Sequence, residues 1–236
     1  MATTEEQPPN ALAQEPGVLR SQLWLTIQTR EAKRLVTGRR ADSGRPGIIG
    51  LTRFAVLLRP LWNAARADDP YADWWLLQVD EALEQARATL KTLAEPLAAL
   101  WQGLPAVDIQ VAESLEPLRV PLQFGNPYAF RGAYLVADYD SLVRAVLTAQ
   151  HVGLLPREDA ERRLALGGRA VRRAYSSPVG YTFFGITRED MVQGTARALE
   201  ARAAMGELPA EVMAGARRGR YAPEIRATVP RTAPET

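Results

Sequence analysis

The chain has 236 residues, enough for one large domain or two small ones with a sizeable core, and 47% of them are hydrophobic. It has no cysteine and a single histidine, His151, which excludes disulfides, thiolate zinc sites, cysteine nucleophiles and any site that needs two imidazoles. The sequence also lacks a phosphate loop and a serine nucleophile elbow. We therefore predict a protein that is not an enzyme and that has no cofactor or metal.

The formal net charge of +2 is the result of segments with opposite charge. Residues 19–53 carry eight basic and two acidic side chains. Residues 66–116 carry three basic and ten acidic side chains, and residues 117–236 carry seventeen basic and twelve acidic ones. Only two of the 29 basic residues are lysine, a bias that GC-rich codon usage explains but that also suits bidentate binding of phosphate and guanine. The segregation of charge indicates a polyanionic partner.

The N-terminal segment, residues 1–18, is polar, acidic and proline-containing, so we expect a disordered tail rather than a signal peptide. No stretch approaches the ~18 apolar residues of a membrane span. We therefore predict a cytoplasmic protein without a membrane partner.

The first predicted strand covers residues 23–28, where apolar residues alternate with exposed Trp24, Thr26 and Gln28. Thr29 is a suitable cap for a short basic helix over 30–37 that ends at Gly38. That helix carries three cations: Arg30, Lys33 and Arg34.

Helical spacing resumes over residues 48–67, and Asp69-Pro70 then begins a long helix that Pro96 kinks or ends. Strands are predicted over 107–111 and 118–124. Asn126-Pro127 begins the next helix, which we expect to break at Ala137-Asp138, where Asp138 or Asp140 caps a second helix.

A further helix is predicted from Pro156 to Tyr175 with an interruption at Gly167-Gly168, followed by a short strand at 181–184. Thr187 begins a capping-box sequence for a helix that extends to Met205. Residues 215–236 are rich in arginine, glycine and proline, and we predict a disordered basic tail.

Residues 118–124 are followed by the predicted helix pair, which is the outline of a β-ribbon DNA reader in which two chains pair their strands. Alternation places Arg119, Pro121 and Gln123 on the outer face, where arginine suits guanine and glutamine suits adenine. Strand 23–28 with its basic helix is a second candidate, with a stronger phosphate-binding charge but a ten-residue loop after the helix. Strands of an ordinary α+β sheet with solvated charges remain the alternative for both.

Several phrases of the sequence are distinctive: LRSQLWLTIQTREA from residue 19, DDPYADWW from 68, VPLQF from 120, NPYA from 126 and GRAVRRA from 168. Over residues 19–209 the chain resembles a family of integrating conjugative element proteins, which is grouped with AcaB-type transcriptional regulators of conjugative plasmids. The resemblance implies a ribbon-helix-helix DNA-binding dimer with additional helices that regulates conjugative-transfer genes. It assigns no individual DNA contacts.

We predict an α+β, mostly helical fold with a small β-ribbon, arranged as one domain over 19–210 with a ribbon-helix-helix-like unit at about 117–153. The predicted function is sequence-specific binding of double-stranded DNA by a homodimer that regulates transcription in an integrative conjugative element. The candidate DNA contacts are Arg119, Gln123, Thr26, Gln28, Arg30, Lys33 and Arg34. The alternative is a non-enzymatic accessory or scaffold protein of the conjugation machinery, which would bind other conjugation proteins through its acidic middle and basic ends.

Overall fold

A computed structural model describes residues 22–42, 44, 46–102 and 107–226. In chain order it contains β1 (Leu23–Ile27), α1 (Arg30–Thr37), α2 (Leu51–Arg66), α3 (Pro70–Gln102), β2 (Leu118–Leu122), α4 (Pro127–His151), α5 (Arg157–Ser176), α6 (Arg188–Gln193), α7 (Ala196–Met205) and α8 (Ala210–Met213). The prediction of an α+β, mostly helical fold with a small β-ribbon is therefore confirmed. The tail predicted over 1–18 lies outside the described residues.

N-cap side chains determine where four of the helices begin. The side chains of Thr29, Asn126 and Thr187 accept hydrogen bonds from backbone amides in the first turns of α1, α4 and α6. Asp69 does the same for α3, whose first residue is Pro70. These four starts agree with the sequence prediction because each depends on neighbouring residues alone.

The core lies where α3, α4 and α5 pack together and α2 covers them. Phe54 of α2 stacks on Tyr175 of α5 with ring centroids 4.8 Å apart. The Tyr175 hydroxyl donates to the carbonyl oxygen of Gly132 on α4 (2.8 Å). Among the described residues no helix combines the length and the apolar character that crossing a membrane requires.

The predicted strand at 107–111 is wrong, and so is the one at 181–184, since neither segment belongs to a sheet. The segment that precedes β2 is held by side chains of α4 instead of by a strand. The amide of Ala112 donates to Thr148 Oγ1 (3.0 Å), and Arg144 Nε donates to the carbonyl oxygen of Ala112 (2.8 Å). These bonds occupy backbone groups that a ladder would need.

Both interruptions that the sequence predicts inside helices are wrong. α4 continues through Ala137-Asp138, and Asp140 begins no new helix, since its carboxylate accepts hydrogen bonds from the amides of Gln28 and Thr29 just before α1. α5 continues through Gly167-Gly168, where the missing side chains allow α4 to approach closely. A Cβ atom on Gly167 would lie 3.0 Å from Tyr139 Cε2. The predicted helix from Thr187 to Met205, in contrast, divides into α6 and α7 at Gly194, whose φ is +66°.

Residues 215–226 do not form the disordered tail that the sequence predicts. Arg218 donates two hydrogen bonds to Asp73 (both 2.8 Å), and the amide of Arg220 donates to Asp80 Oδ2 (3.0 Å). The ring of Tyr221 packs edge-on against that of Tyr128. This segment is fixed to α3 and α4, and the rest of the predicted tail, 227–236, lies outside the described residues.

Candidate nucleic-acid interface

The two strands that the sequence left as competing candidates pair with each other. β1 and β2 form a two-stranded antiparallel sheet in which Trp24 lies opposite Pro121 and Thr26 lies opposite Arg119. Residues directly opposite one another in an antiparallel pair share a face. All four of these residues are exposed, so together they form the outer face of one ribbon.

The inner face fixes the ribbon to the helices. Leu25, Ile27 and Leu122 are buried in the core, and Leu23 and Val120 pack partly buried against it. A shift of one residue in the register would turn these side chains to solvent, so the burial of this face also determines which residues face outward. The predicted alternation is present over most of both strands; Leu118, predicted on the inner face, is 42% exposed, and Gln28, predicted on the outer face, is half-buried.

Arg119 is held in a defined position on the outer face. Its guanidinium carbon lies 5.0 Å from the centre of the Trp24 ring, which is 48% exposed. A guanidinium over an indole face is attracted by the ring quadrupole, and its hydrogen-bond donors remain available at the ring edge. The ribbon thus presents a partly oriented donor group to solvent.

The two glutamines predicted to bind bases have different surroundings. Gln123 is exposed just beyond the end of β2 and lines, with Arg59 and Thr52 of α2, a cavity of about 500 Å³. Gln28 is half-buried, and its side-chain oxygen accepts a hydrogen bond from the amide of Ser114 (2.8 Å). Gln28 therefore secures the segment that leads into β2.

The cations of α1 lie immediately after β1. Arg30, Lys33 and Arg34 are all exposed, and none forms an ion pair with a carboxylate in the described part of the chain. The junction between β1 and α1 is fixed by the carboxylate of Asp140 on α4. It accepts hydrogen bonds from the amide of Gln28 (2.9 Å) and from the amide and hydroxyl of Thr29 (2.9 and 2.6 Å). The ribbon and the basic helix are therefore positioned together.

The acidic charge of α3, in contrast, is paired inside the protein. Arg188 and Arg218 bind the fully buried Asp73, and Arg131 binds Asp80 and Glu84. Arg217 binds Glu81 (2.7 Å). Many arginines from the C-terminal part of the sequence thus neutralise the acidic middle, whereas the α1 cations face solvent.

Sequence reasoning missed three features of this surface: the pairing of β1 with β2, the contact of Arg119 with Trp24 and the anchoring role of Asp140. All three join residues that lie about 90 to 110 positions apart. The alternating pattern identifies the outer faces of both strands, but it does not identify the partner of either strand.

These features define a mostly helical protein that presents an antiparallel ribbon beside a basic helix, an arrangement typical of the β-ribbon class of regulators. The family model for the transcriptional regulator AcaB matches residues 15–226, and the chain belongs to this family. The resemblance to AcaB-type transcriptional regulators stated from the sequence is therefore confirmed.

A solved structure, the crystal structure of selenomethionine-containing AcaB from uropathogenic E. coli, has a similar fold with a TM-score of 0.55. The two chains are 13% identical, and the similarity covers 83% of this chain and 95% of the other. At this identity the comparison establishes the fold alone. No curated protein matches the chain.

Proposed function

We propose that the protein binds double-stranded DNA sequence-specifically through the β1–β2 ribbon and regulates conjugative-transfer genes of an integrative conjugative element. The observation that carries this proposal is the outer face of the ribbon, where exposed Thr26 and Arg119 lie opposite each other beside Trp24. A two-stranded ribbon fits the major groove of B-DNA, where base edges present distinct donor and acceptor patterns.

The contacts divide into two kinds. Arg119 and Thr26 are proposed to contact base edges, since they lie on the outer face of the ribbon, and Gln123 is proposed to extend this set at the end of β2. The α1 cations Arg30, Lys33 and Arg34 are proposed to bind phosphates, because they are exposed and free of carboxylate partners among the described residues. Gln28 has a positioning role, through its bond to Ser114.

One chain supplies both strands of this ribbon. β1 is followed by α1 and α2, and β2 by α4 and α5, so each strand begins a strand–helix–helix unit and the two units join through their strands. The predicted homodimer is not needed to complete the ribbon. The homodimer stays a prediction. A dimer would carry two ribbons, which would contact two half-sites on the DNA.

An accessory role through the acidic middle of the chain has less support. The carboxylates of Asp73, Asp80, Glu81 and Glu84 are already bound by arginines of the same chain. A partner with basic groups would have to displace these pairs. Binding to other conjugation proteins stays a prediction.

The test is the affinity of the full chain for promoter fragments from its own element and for scrambled duplexes of equal length, measured by fluorescence anisotropy at fixed salt. Arg119→Ala should weaken promoter binding about tenfold or more, because a bidentate arginine–guanine contact contributes about 1–3 kcal/mol of discrimination. Its binding to the scrambled duplex should change much less.

The matched control is Arg197→Ala, which removes an exposed arginine of α7. It should leave the ratio of promoter to scrambled affinity unchanged. Equal affinity of the wild-type protein for both duplexes would contradict sequence-specific binding. An unchanged ratio in Arg119→Ala would contradict the assignment of the ribbon.

A further inference from the structure

A second group of cations lies on α5. Arg169, Arg172 and Arg173, together with Thr89 and Ser176, line an open cavity of about 560 Å³ with no acidic residue in its lining. Arg172 also lines a neighbouring cavity of about 440 Å³, where it meets Arg34 of α1. The two cavities therefore share the side chain of Arg172, and the second one also contains Arg39 and the acidic Glu31.

The three α5 cations have no carboxylate partners among the described residues, although other arginines of the same helix do. Arg157 pairs with Glu161, and Arg162 pairs with Asp159. Arg169 lies three and four positions before Arg172 and Arg173, the spacings at which side chains are neighbours on a helix, so its charge repels both of theirs. Such an arrangement lowers stability unless an anion is bound there.

The lining groups favour a phosphate held by guanidinium groups. The hydroxyls of Thr89 and Ser176 donate to the carbonyl oxygens of Gln85 and Arg172, so their protons are already used. The cavity on α5 is lined by aliphatic, hydroxyl and guanidinium side chains, without an aromatic ring on which a free base could stack. These features fit a backbone phosphate better than a nucleotide.

The α5 surface is connected to the ribbon by α1. Arg30 begins α1 next to the end of β1, and Arg34 lies one turn further, on the cavity that it shares with Arg172. Arg34 and Arg172 line this cavity together with Tyr139 and Glu31. Burial, followed by the charge of Glu31, raises the pKa of Tyr139, and the charges of Arg172 and Arg34 oppose this rise. Cations thus extend from the ribbon along α1 to α5, with the acidic Glu31 among them.

We propose that Arg169, Arg172 and Arg173 bind backbone phosphates of nucleic acid outside the footprint of the ribbon. This inference rests on the proposed function, since the DNA that occupies the ribbon would continue along α1. The α5 contacts add affinity and salt dependence, and they carry no sequence information.

The experiment compares wild type with the double variant Arg169→Ala/Arg173→Ala and measures dissociation constants for the promoter and scrambled duplexes from 50 to 200 mM salt. The slope of log affinity against log salt should become less steep by about 1.8, since each lost phosphate contact accounts for about 0.9. Affinity for both duplexes should fall by the same factor, about tenfold, and their ratio should stay constant.

The control is Arg157→Ala/Arg162→Ala, which removes the same charge from the same helix but from cations that already have partners. It should retain at least most of the wild-type slope. A wild-type slope in the Arg169→Ala/Arg173→Ala variant, or an equal loss in the control, overturns this inference and leaves the ribbon assignment intact. Absence of wild-type binding to either duplex overturns both proposals.

A last arm uses pyrophosphate as a probe of free phosphate binding. Millimolar pyrophosphate should raise the melting temperature of the wild type no more than a chloride salt does at the same ionic strength. A specific rise that the Arg169→Ala/Arg173→Ala variant loses, together with an unchanged DNA slope, would show a small-molecule site instead of a backbone contact.

Discussion

Asp140 shows how one side chain determines the position of the candidate interface. The residue is 4% exposed, and its carboxylate accepts three hydrogen bonds from Gln28 and Thr29 at the junction of β1 and α1. The negative charge also lies at the N-terminal end of α1, where the helix dipole favours an anion. Asp140 thereby links α4 to the ribbon and to the basic helix.

Asp140→Ala should lower the free energy of unfolding by roughly 3 kcal/mol, because it leaves two amides and a hydroxyl without their charged acceptor. The change is measured by urea denaturation. The control is Asp138→Ala on the same helix, which removes a more exposed pair with Arg87 at 3.5 Å and should cost less than about 1 kcal/mol. Equal losses in the two variants would show that Asp140 has no special anchoring role.

At the scale of elements, the approach of α2 to α4 depends on a residue without a side chain. A Cβ atom on Gly132 would lie 2.7 Å from Phe54 Cε1, and Phe54 cannot retreat because it is fully buried and stacked on Tyr175. The close contact also allows the Tyr175 hydroxyl to reach the Gly132 carbonyl oxygen. α4 therefore carries both the anchor of the ribbon and the contact surface of α2.

Gly132→Ala should lower the free energy of unfolding by about 1–3 kcal/mol, since overpacking outweighs the gain of about 1 kcal/mol in helix propensity. Thermal and urea denaturation both measure this change. Ser141→Ala, at an exposed position of α4, should stay within about 0.5 kcal/mol of the wild type. An increase in stability for Gly132→Ala would show that the α2–α4 contact adapts freely.

The elements that could be predicted from the sequence are those determined by neighbouring residues. Thr29 and Asn126 begin helices because their side chains bind amides three positions ahead, and the alternation in β1 and β2 determines which side chains face outward. The break predicted at Ala137-Asp138 was wrong because the carboxylate of Asp140 binds Gln28 and the distant cap residue Thr29 instead of amides of its own helix. The pairing of β1 with β2 could not be predicted, because both strands match the same pattern and their contact spans most of the first half of the chain.

At the scale of the whole molecule, the acidic segment of the sequence is paired within the protein, whereas part of its basic charge is not. The acidic helix α3 is neutralised by arginines that follow it in the chain, up to 145 positions away. The cations of α1 and the cluster on α5 have no such partners among the described residues, and all of them are exposed except Arg172, which is half-buried. The near-zero net charge therefore coexists with a basic surface next to the ribbon.

The adjacent residues Arg217 and Arg218 allow the contribution of an exposed ion pair to α3 to be compared with that of a buried one. Arg218 donates two hydrogen bonds to Asp73, whose side chain is fully buried, whereas Arg217 is 54% exposed and pairs with the exposed Glu81. Arg218→Ala should lower the free energy of unfolding by about 3 kcal/mol, because Asp73 keeps Arg188 but loses two of its charged donors.

Arg217→Ala removes the same charge one position earlier and should cost less than about 1 kcal/mol, since solvent screens an exposed pair. Urea denaturation of both variants gives the comparison directly. Losses of equal size would mean that residues 215–226 contribute only through overall charge. A large loss of stability in Arg218→Ala alone would show that residues 215–226 stabilise the fold through the bonds of Arg218 to Asp73. These bonds connect the C-terminal part of the chain to α3, which packs on the helices that carry the ribbon.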